Sequence, residues 1–425
     1  DGEIWDNDAK YFYYPHGPIS RTEIGGEQKV QGQDYAYTIM SWLKGVNSDV
    51  LDENRDMGKD GNENISSNLN KRFGQDAMGY SLHFFNNDGL AAKDYKSVGS
   101  TNFLLGLNQS NYSTLGKPLY NGNISRVNTA LKDNNENEIP VNGMAYYYDQ
   151  LNRLKRGRSF LGNPDQLRAD GDFSSTSPSA KYKTLFTYDF NGNIKELDRF
   201  DESGTQMDDL TYTYDVGNEK NQLLRVQDLA GFHNKGDLST QAANNYDYNE
   251  IGNLIRDDAE NITNIEWTVD GKIKAIQYSS TKPDLEFQYD PQGNRIMKIL
   301  KTKTGTTINN ANYWEYYHYI NDAAGNPLAI YKESFINGSC LSSKLEIEDM
   351  PIYGSSRMGT FSKPGVKRQN NFTASYTSGG YFTNVDPNPS GGCSNVFWSF
   401  IGNYTVTPGT QTLGNKNYEL KNHLG

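Results

Sequence analysis

Apolar and polar residues alternate with a period of two through much of this chain, and short Gly- and Asn-rich steps punctuate the alternation. From Lys183 to Phe190, Leu185, Thr187 and Asp189 fall on one side while Phe186, Tyr188 and Phe190 fall on the other, as in a half-buried strand. Asn-Gly-Asn follows Asp189-Phe190, and Gln-Gly-Asn follows Asp290-Pro291. Gly and Asn tolerate the positive φ of a tight hairpin, so returning strands are predicted to begin at Ile194 and at Arg295-Ile296. Helical spacing is weak: Gly74–Phe85 and Ser239–Tyr248 are short and lack a sustained three-to-four period.

The same cadence recurs: an aromatic-X-aromatic or Tyr-Asp step, a few residues, Gly-Asn or Asn-Arg, then an apolar residue. Copies begin at Tyr147, Phe186, Tyr212, Tyr246, Phe287 and His318, with more diverged ones at Tyr11, Tyr35 and Pro118. The last Tyr of the clear copies falls at 148, 188, 214, 248, 289 and 319, giving intervals of 40, 26, 34, 41 and 30. About twenty residues is one strand pair with its turn, and about forty is two. A lone hairpin cannot hide an aromatic face, so the units are predicted to stack side by side into one long, curved antiparallel sheet. Residues 1–425 then form one continuous repeat segment, with a softer division into 1–116 (diverged repeats with an acidic loop), 117–345 (the clearest copies) and 346–425 (insertion-rich). Polar stretches at 54–70, 131–137, 162–179 and about 362–412 are read as loops or decorations.

Composition moves the fold class firmly to all-β. The hydrophobic share is 35%; recounted with Gly and without Tyr it is about 38%, against about 45–50% in ordinary globular domains. Disorder is excluded for most of the chain by 12% aromatics, 30 of them Tyr. Tyr suits a pleated, half-buried surface because it buries a ring and leaves a wet hydroxyl.

A net charge of −11 and the absence of long Lys/Arg runs argue against a nucleic-acid partner. No window approaches the roughly 18 apolar residues of a membrane helix. The opening Asp1–Lys10, with no initiator Met and no charged-then-apolar leader, is read as that of a processed or longer protein. Cys340 and Cys393 are too few for a disulfide scaffold, and nothing in the sequence brings them together.

The best constellation for chemistry is an acidic loop, in which Asp52, Asn54, Asp56, Gly58, Asp60 and Glu63 occupy positions 1, 3, 5, 7, 9 and 12. That is the oxygen-ligand spacing of a calcium loop, although Met57 stands where the sharp turn calls for Gly; a solvated acidic loop is the bland alternative. Calcium is the one cofactor this suggests. The five histidines, His16, His83, His233, His318 and His423, form no zinc-type pair. No nucleophile elbow or phosphate loop is present, and Cys393 between Gly392 and Ser394 lacks a basic neighbourhood, so no catalytic residue is assigned. The Asp of the Tyr-Asp step recurs in copy after copy and is read as a turn acceptor. The aromatic stripe from Asn312 to Tyr319 is read as the inner face of a sheet, with sugar stacking as the alternative.

These Tyr-Asp-X-X-Gly-Asn copies resemble the Rhs/YD-repeat family, and several longer strings resemble its Bacteroidota version: VQGQDYAYTIMSWLKGVN from Val30, KRFGQDAMGYSLHFF from Lys71, PLYNGNISR from Pro118, IYGSSRMG from Ile352 and NYELKNHLG from Asn417. The resemblance implies a sheet spiralling into a hollow cocoon, with a C-terminal effector, often a toxin, sealed inside or attached beyond it. It further implies an extracellular or outer-surface location, passage by type 9 secretion, and secretion or surface-assembly proteins as partners. On this reading the chain is a structural shell and not itself an enzyme. The competing reading is a cell-surface adhesin or carbohydrate-binding module that uses exposed aromatics.

Overall fold

A computed structural model describes residues 7–26, 29–52, 54–85, 117–133, 135, 137–170, 179–215, 217, 221–230, 238–335, 343–354, 356–361 and 416–418. Cys340, Cys393, His233, His423 and the 362–412 stretch lie outside them.

The described elements are nearly all strands, paired antiparallel. The first sheet holds twelve in sequence order: β1 (Ala9–Tyr13), β2 (Ile19–Ile24), β3 (Gln31–Tyr37), β4 (Leu43–Val46), β5 (Met78–His83), β6 (Arg126–Leu131), β7 (Val141–Tyr148), β8 (Leu154–Gly162), β9 (Ser179–Tyr188), β10 (Ile194–Phe200), β11 (Gln206–Tyr214) and β12 (Leu223–Asp228). The second holds β13 (Tyr246–Tyr248), β14 (Leu254–Asp257), β15 (Ile262–Trp267), β16 (Ile273–Tyr278), β17 (Asp284–Tyr289) and β18 (Arg295–Lys301), then β21 (Glu315–Asn321), β22 (Pro327–Phe335) and β23 (Ser343–Asp349). A hairpin of β19 (Lys303–Thr304) and β20 (Thr307–Ile308) interrupts the second sheet's connections, and β24 (Pro351–Tyr353), β25 (Arg357–Phe361) and β26 (Lys416–Tyr418) form a third, small sheet.

The all-β, edge-to-edge hairpin architecture is as the sequence predicts, but the described strands fall into two large sheets and not one. The order breaks after Asp228, where the Thr240 hydroxyl accepts from the Asp228 N–H at 3.1 Å and donates to its carbonyl at 2.6 Å. A side chain there fills the place of a neighbouring strand. The chain also divides into two compact units, one of residues up to Thr213 with Val226–Thr240, the other of Tyr214–Arg225 and Gln241–Glu419.

The units differ in how they are packed. In the first, all six residues of β5 are buried, and apolar clusters stand on both of its faces. Val46, Met78, Tyr80, Leu82 and Val127 gather on one; Ala130, Val141, Ala145 and Phe160 gather on the other with Val50 and Leu167 of the helix α1 (Pro164–Asp170). This part has a filled interior. In the second sheet most strand residues are half-buried, and Ile265, Ile299 and Ala329 are its few buried apolar strand positions among the described residues. There the low apolar content of the sequence has its structural counterpart.

Candidate functional site

The recurrent residues meet in the turns. Asp189 accepts the Asn193 N–H on Oδ1 and the Asn193 side-chain amide on Oδ2, both at 2.8 Å, while its own N–H donates to the Asn193 carbonyl at 2.9 Å. Gly192 takes the left-handed backbone (φ 93°) that closes the loop. Asp290 with Asn294, and Asp322 with Asn326, repeat this set, with Gly293 at φ 83° and Gly325 at φ 87°. Asp149 does the same with Arg153, whose Nε donates at 2.7 Å. The Asn326 amide and backbone N–H groups hold the Asp322 carboxyl below its usual range, and the Asn294 amide does so for Asp290.

Each turn is also tied to the one before it. Tyr188 donates its hydroxyl to Leu154 O at 2.6 Å, Tyr248 to Leu223 O at 3.0 Å and Tyr289 to Ile273 O at 2.8 Å. Leu154, Leu223 and Ile273 are the first residues of strands that return from a preceding turn. At Leu154 and Ile273 the ladder register shifts, so a side chain satisfies backbone where strand pairing is locally interrupted. Burial raises the hydroxyls of Tyr188 and Tyr248 above their ordinary pKa. The links are doubled in places: the Arg153 guanidinium lies 4.7 Å from the Tyr188 ring centre and donates to Asp189 O at 3.0 Å, and Lys272 lies 5.3 Å from that of Tyr289.

This geometry reveals a copy the sequence reading missed. Trp267 Nε1 donates to Leu254 O at 2.8 Å, and Thr268 Oγ1 accepts the Lys272 N–H at 2.9 Å, with Gly271 at φ 78°. Trp and Thr thus stand for Tyr and Asp, and the 41-residue interval contains two strand pairs. The first interval, of 40 residues from Tyr148 to Tyr188, contains one pair and the α1 segment. In the last copy the tie comes from Asn321, whose amide donates to Arg295 O at 3.0 Å, and not from Tyr319.

The calcium-spaced residues do not converge as a set. Asp56 and Asp60 are buried, the former accepting the Gly58 N–H at 2.8 Å and the Asp60 N–H at 2.6 Å. Asp60 instead meets Arg21 at 2.7 Å, which also holds Asp34 at 2.5 Å. Asp52 caps the Asn54 N–H at 2.9 Å and lies 3.9 Å from Arg168, while Asn54 and Glu63 are exposed. Among the described residues no group of three or more His, Cys, Asp or Glu is arranged to hold a metal. Gly58 is required at its position because a Cβ there would strike Asp34 and Arg21. Burial, with Asp56 and Asp60 nearby, pushes Asp76 up to about 9, and burial raises Asp34 to about 7 and Asp60 to about 6.

A second buried polar cluster joins β4, β5 and β6. Ser81 Oγ lies 2.9 Å from His83 Nε2 and donates to Asp49, and Asn128 Nδ2 lies 2.9 Å from Asp49 Oδ2. These are the members of a hydrolytic triad in the wrong order: the acid contacts the serine, while the Lys44 ammonium sits 3.1 Å from the far ring nitrogen, His83 Nδ1. Burial, then Lys44 and Arg126, push the His83 pKa well below its ordinary value, so it is a neutral core residue. His16 stacks on Tyr14 at 5.3 Å, and His318 lies 2.9 Å from Glu333.

No family model and no curated protein matches the sequence. Solved structures similar to it include the complex TcdB2-TccC3 without its hypervariable C-terminal region, 13% identical, with 85% of this chain and 15% of that chain covered at a TM-score of 0.39. The Photorhabdus luminescens Tc holotoxin pore is 10% identical, with 83% and 24% covered and a TM-score of 0.17. A porin-like protein from Bacteroides uniformis is 9% identical, with 52% and 88% covered and a TM-score of 0.19. The chain thus spans a small part of the toxin chains it resembles.

Proposed function

We propose that this chain is a structural wall of a secreted or cell-surface Rhs-type protein, which encloses or presents an effector domain of the same polypeptide. The observation that carries this reading is the turn seam. The most repeated side chains, Tyr and Asp, are committed to backbone groups of their own and the preceding turn, so their conservation of type along the chain serves joining and not ligand contact. A sheet linked this way shields what lies behind it through hydrogen bonds that leave few open edges. The adhesin reading needs a gathered platform of exposed aromatics. Among the described residues the exposed large aromatics are Tyr13, Tyr120, Tyr182, Phe190 and Tyr313, spread over separate strands and loops.

The test uses the native gene product. An enclosed C-terminal domain resists limited proteolysis until the wall unfolds, and the combined Tyr188→Phe and Tyr289→Phe exchange brings its cleavage to lower denaturant. A gene product with no domain beyond the repeats, or one whose domain is cut equally fast behind intact and weakened walls, overturns the proposal.

A further inference from the structure

The first unit carries a cleft of about 590 Å³ on the face of β1–β3. Cross-strand register sets its lining: Phe12 lies opposite Arg21, and Arg21 opposite Asp34, while Lys10 lies opposite Glu23. The floor is rigid, because Arg21 is held by Glu23 at 3.2 Å, Asp34 at 2.5 Å and Asp60 at 2.7 Å. Its charge is therefore already spent.

The rim is different. Lys10 Nζ stands 4.8 Å from the Phe12 ring centre, and Lys29 Nζ stands 5.1 Å from that of Phe73. Neither ammonium is in an ion pair with a described residue. Two ammonium groups thus line one cleft, with the Ser20 hydroxyl and Glu23 beside them; Phe73 is buried and also faces the Arg21 guanidinium at 4.9 Å, which leaves Phe12 as the accessible ring. Aromatic rings stack the apolar faces of a sugar, short polar side chains take its hydroxyls, and a free ammonium takes a carboxylate.

We propose that this cleft binds an acidic saccharide, its ring against Phe12 and its carboxylate on Lys10 or Lys29. An extended peptide fits less well, since peptides that pair with a sheet add to its edge and this cleft lies on the face. A nucleic-acid phosphate track fits less well too, since the nearest guanidinium is already held by three carboxylates and the chain is strongly acidic.

The experiment is calorimetric titration of the intact chain with three probes: galacturonic acid oligomers, the matching neutral galactose oligomers and hexaglutamate. The acidic sugar is expected to bind, and the other two to bind about tenfold more weakly or not at all. The combined Lys10→Gln and Lys29→Gln variant is expected to weaken acidic-sugar binding by about tenfold or more with its thermal unfolding unchanged. Phe12→Ala is expected to weaken it as well, and Lys195→Gln, an exposed distant control, to leave it unchanged. Absence of binding by galacturonic acid oligomers, equal binding of hexaglutamate, or binding indifferent to the lysine exchange each overturns the assignment.

Discussion

The Tyr289 hydroxyl donates to the carbonyl of Ile273 at 2.8 Å, sixteen residues back in the chain and one hairpin away in the sheet. With its counterparts at Tyr188 and Tyr248, this bond explains why the repeat calls for tyrosine and not phenylalanine: the ring packs, and the oxygen fastens one unit to the last.

Tyr289→Phe keeps the ring and removes one such bond. It is expected to lower stability by about 0.5–1.5 kcal/mol, read as a shift in the urea midpoint with an unchanged slope. Tyr289→Ala should cost distinctly more because the ring goes too. If Tyr289→Phe is neutral, the bond is incidental to the repeat.

Gly192 and Gly325 share a left-handed backbone but not their surroundings. A Cβ at Gly192 meets nothing, whereas one at Gly325 would strike the Asn294 side chain. Gly192→Ala is expected to cost about 1–2 kcal/mol for the backbone alone, with Gly192→Asn milder and Gly325→Ala worse. Equal losses in denaturant melts of the two alanine variants would contradict the local picture.

Opposite pH trends are expected in different parts of the molecule. The turn carboxyls Asp290 and Asp322 have depressed pKa values when folded, so their contribution is present above the ordinary carboxylate range and lost as pH falls below about 4. Asp60, Asp34 and Asp76 are raised to about 6, 7 and 9, so the folded state binds more protons there, and stability from this cluster is lost as pH rises through those values. Hydrogen exchange between pH 5 and 9 should show protection falling with pH around β2 and β3 beyond the intrinsic rate change, with Asp76→Asn flattening the trend. A flat profile in the unaltered chain would refute the cluster's role.

Calcium at millimolar concentration is expected to leave the melting temperature unchanged, because Arg21 and backbone N–H groups already occupy Asp56 and Asp60. A rise reversed by a chelator would mean that the cation displaces Arg21.

Ser81 is expected to resist fluorophosphonate labelling, since it is fully buried and Lys44, not a carboxylate, faces the far nitrogen of His83. Asp49→Ala should instead destabilise the fold by removing the carboxylate that the Ser81 hydroxyl and the Asn128 amide share, at about 0.5–1.5 kcal/mol for each lost bond. Labelling of native protein at Ser81 would reverse this reading.

The hairpins and their turns were legible because Asp, Gly and Asn act within five residues of one another. The partner of each tyrosine was not, since Leu154 and Ile273 offer only a carbonyl that every residue has, and nothing in their side chains marks them. The Trp267–Thr268 copy escaped for a related reason: the joint needs a ring donor and a short oxygen acceptor, and two other residue types supply both. The two-sided core around β5 was hidden because Ser81, His83, Arg126 and Asn128 read as surface until their neighbours bury them. Spacing alone suggested calcium; Arg21, thirty-nine residues from Asp60, answers the same charge.

In the second sheet the loops at Asn249–Asn253, Thr268–Lys272, Asp290–Asn294 and Asp322–Asn326 are all of one length, and they lie along one rim. The opposite rim ranges from the short link between Asp257 and Ile262 to the longer excursion that carries β19 and β20. Since the fastening runs along the uniform rim, evolution is free to insert on the other: a lineage can add or trade ornaments there, or append a further pair of strands, while reusing the same joint unchanged.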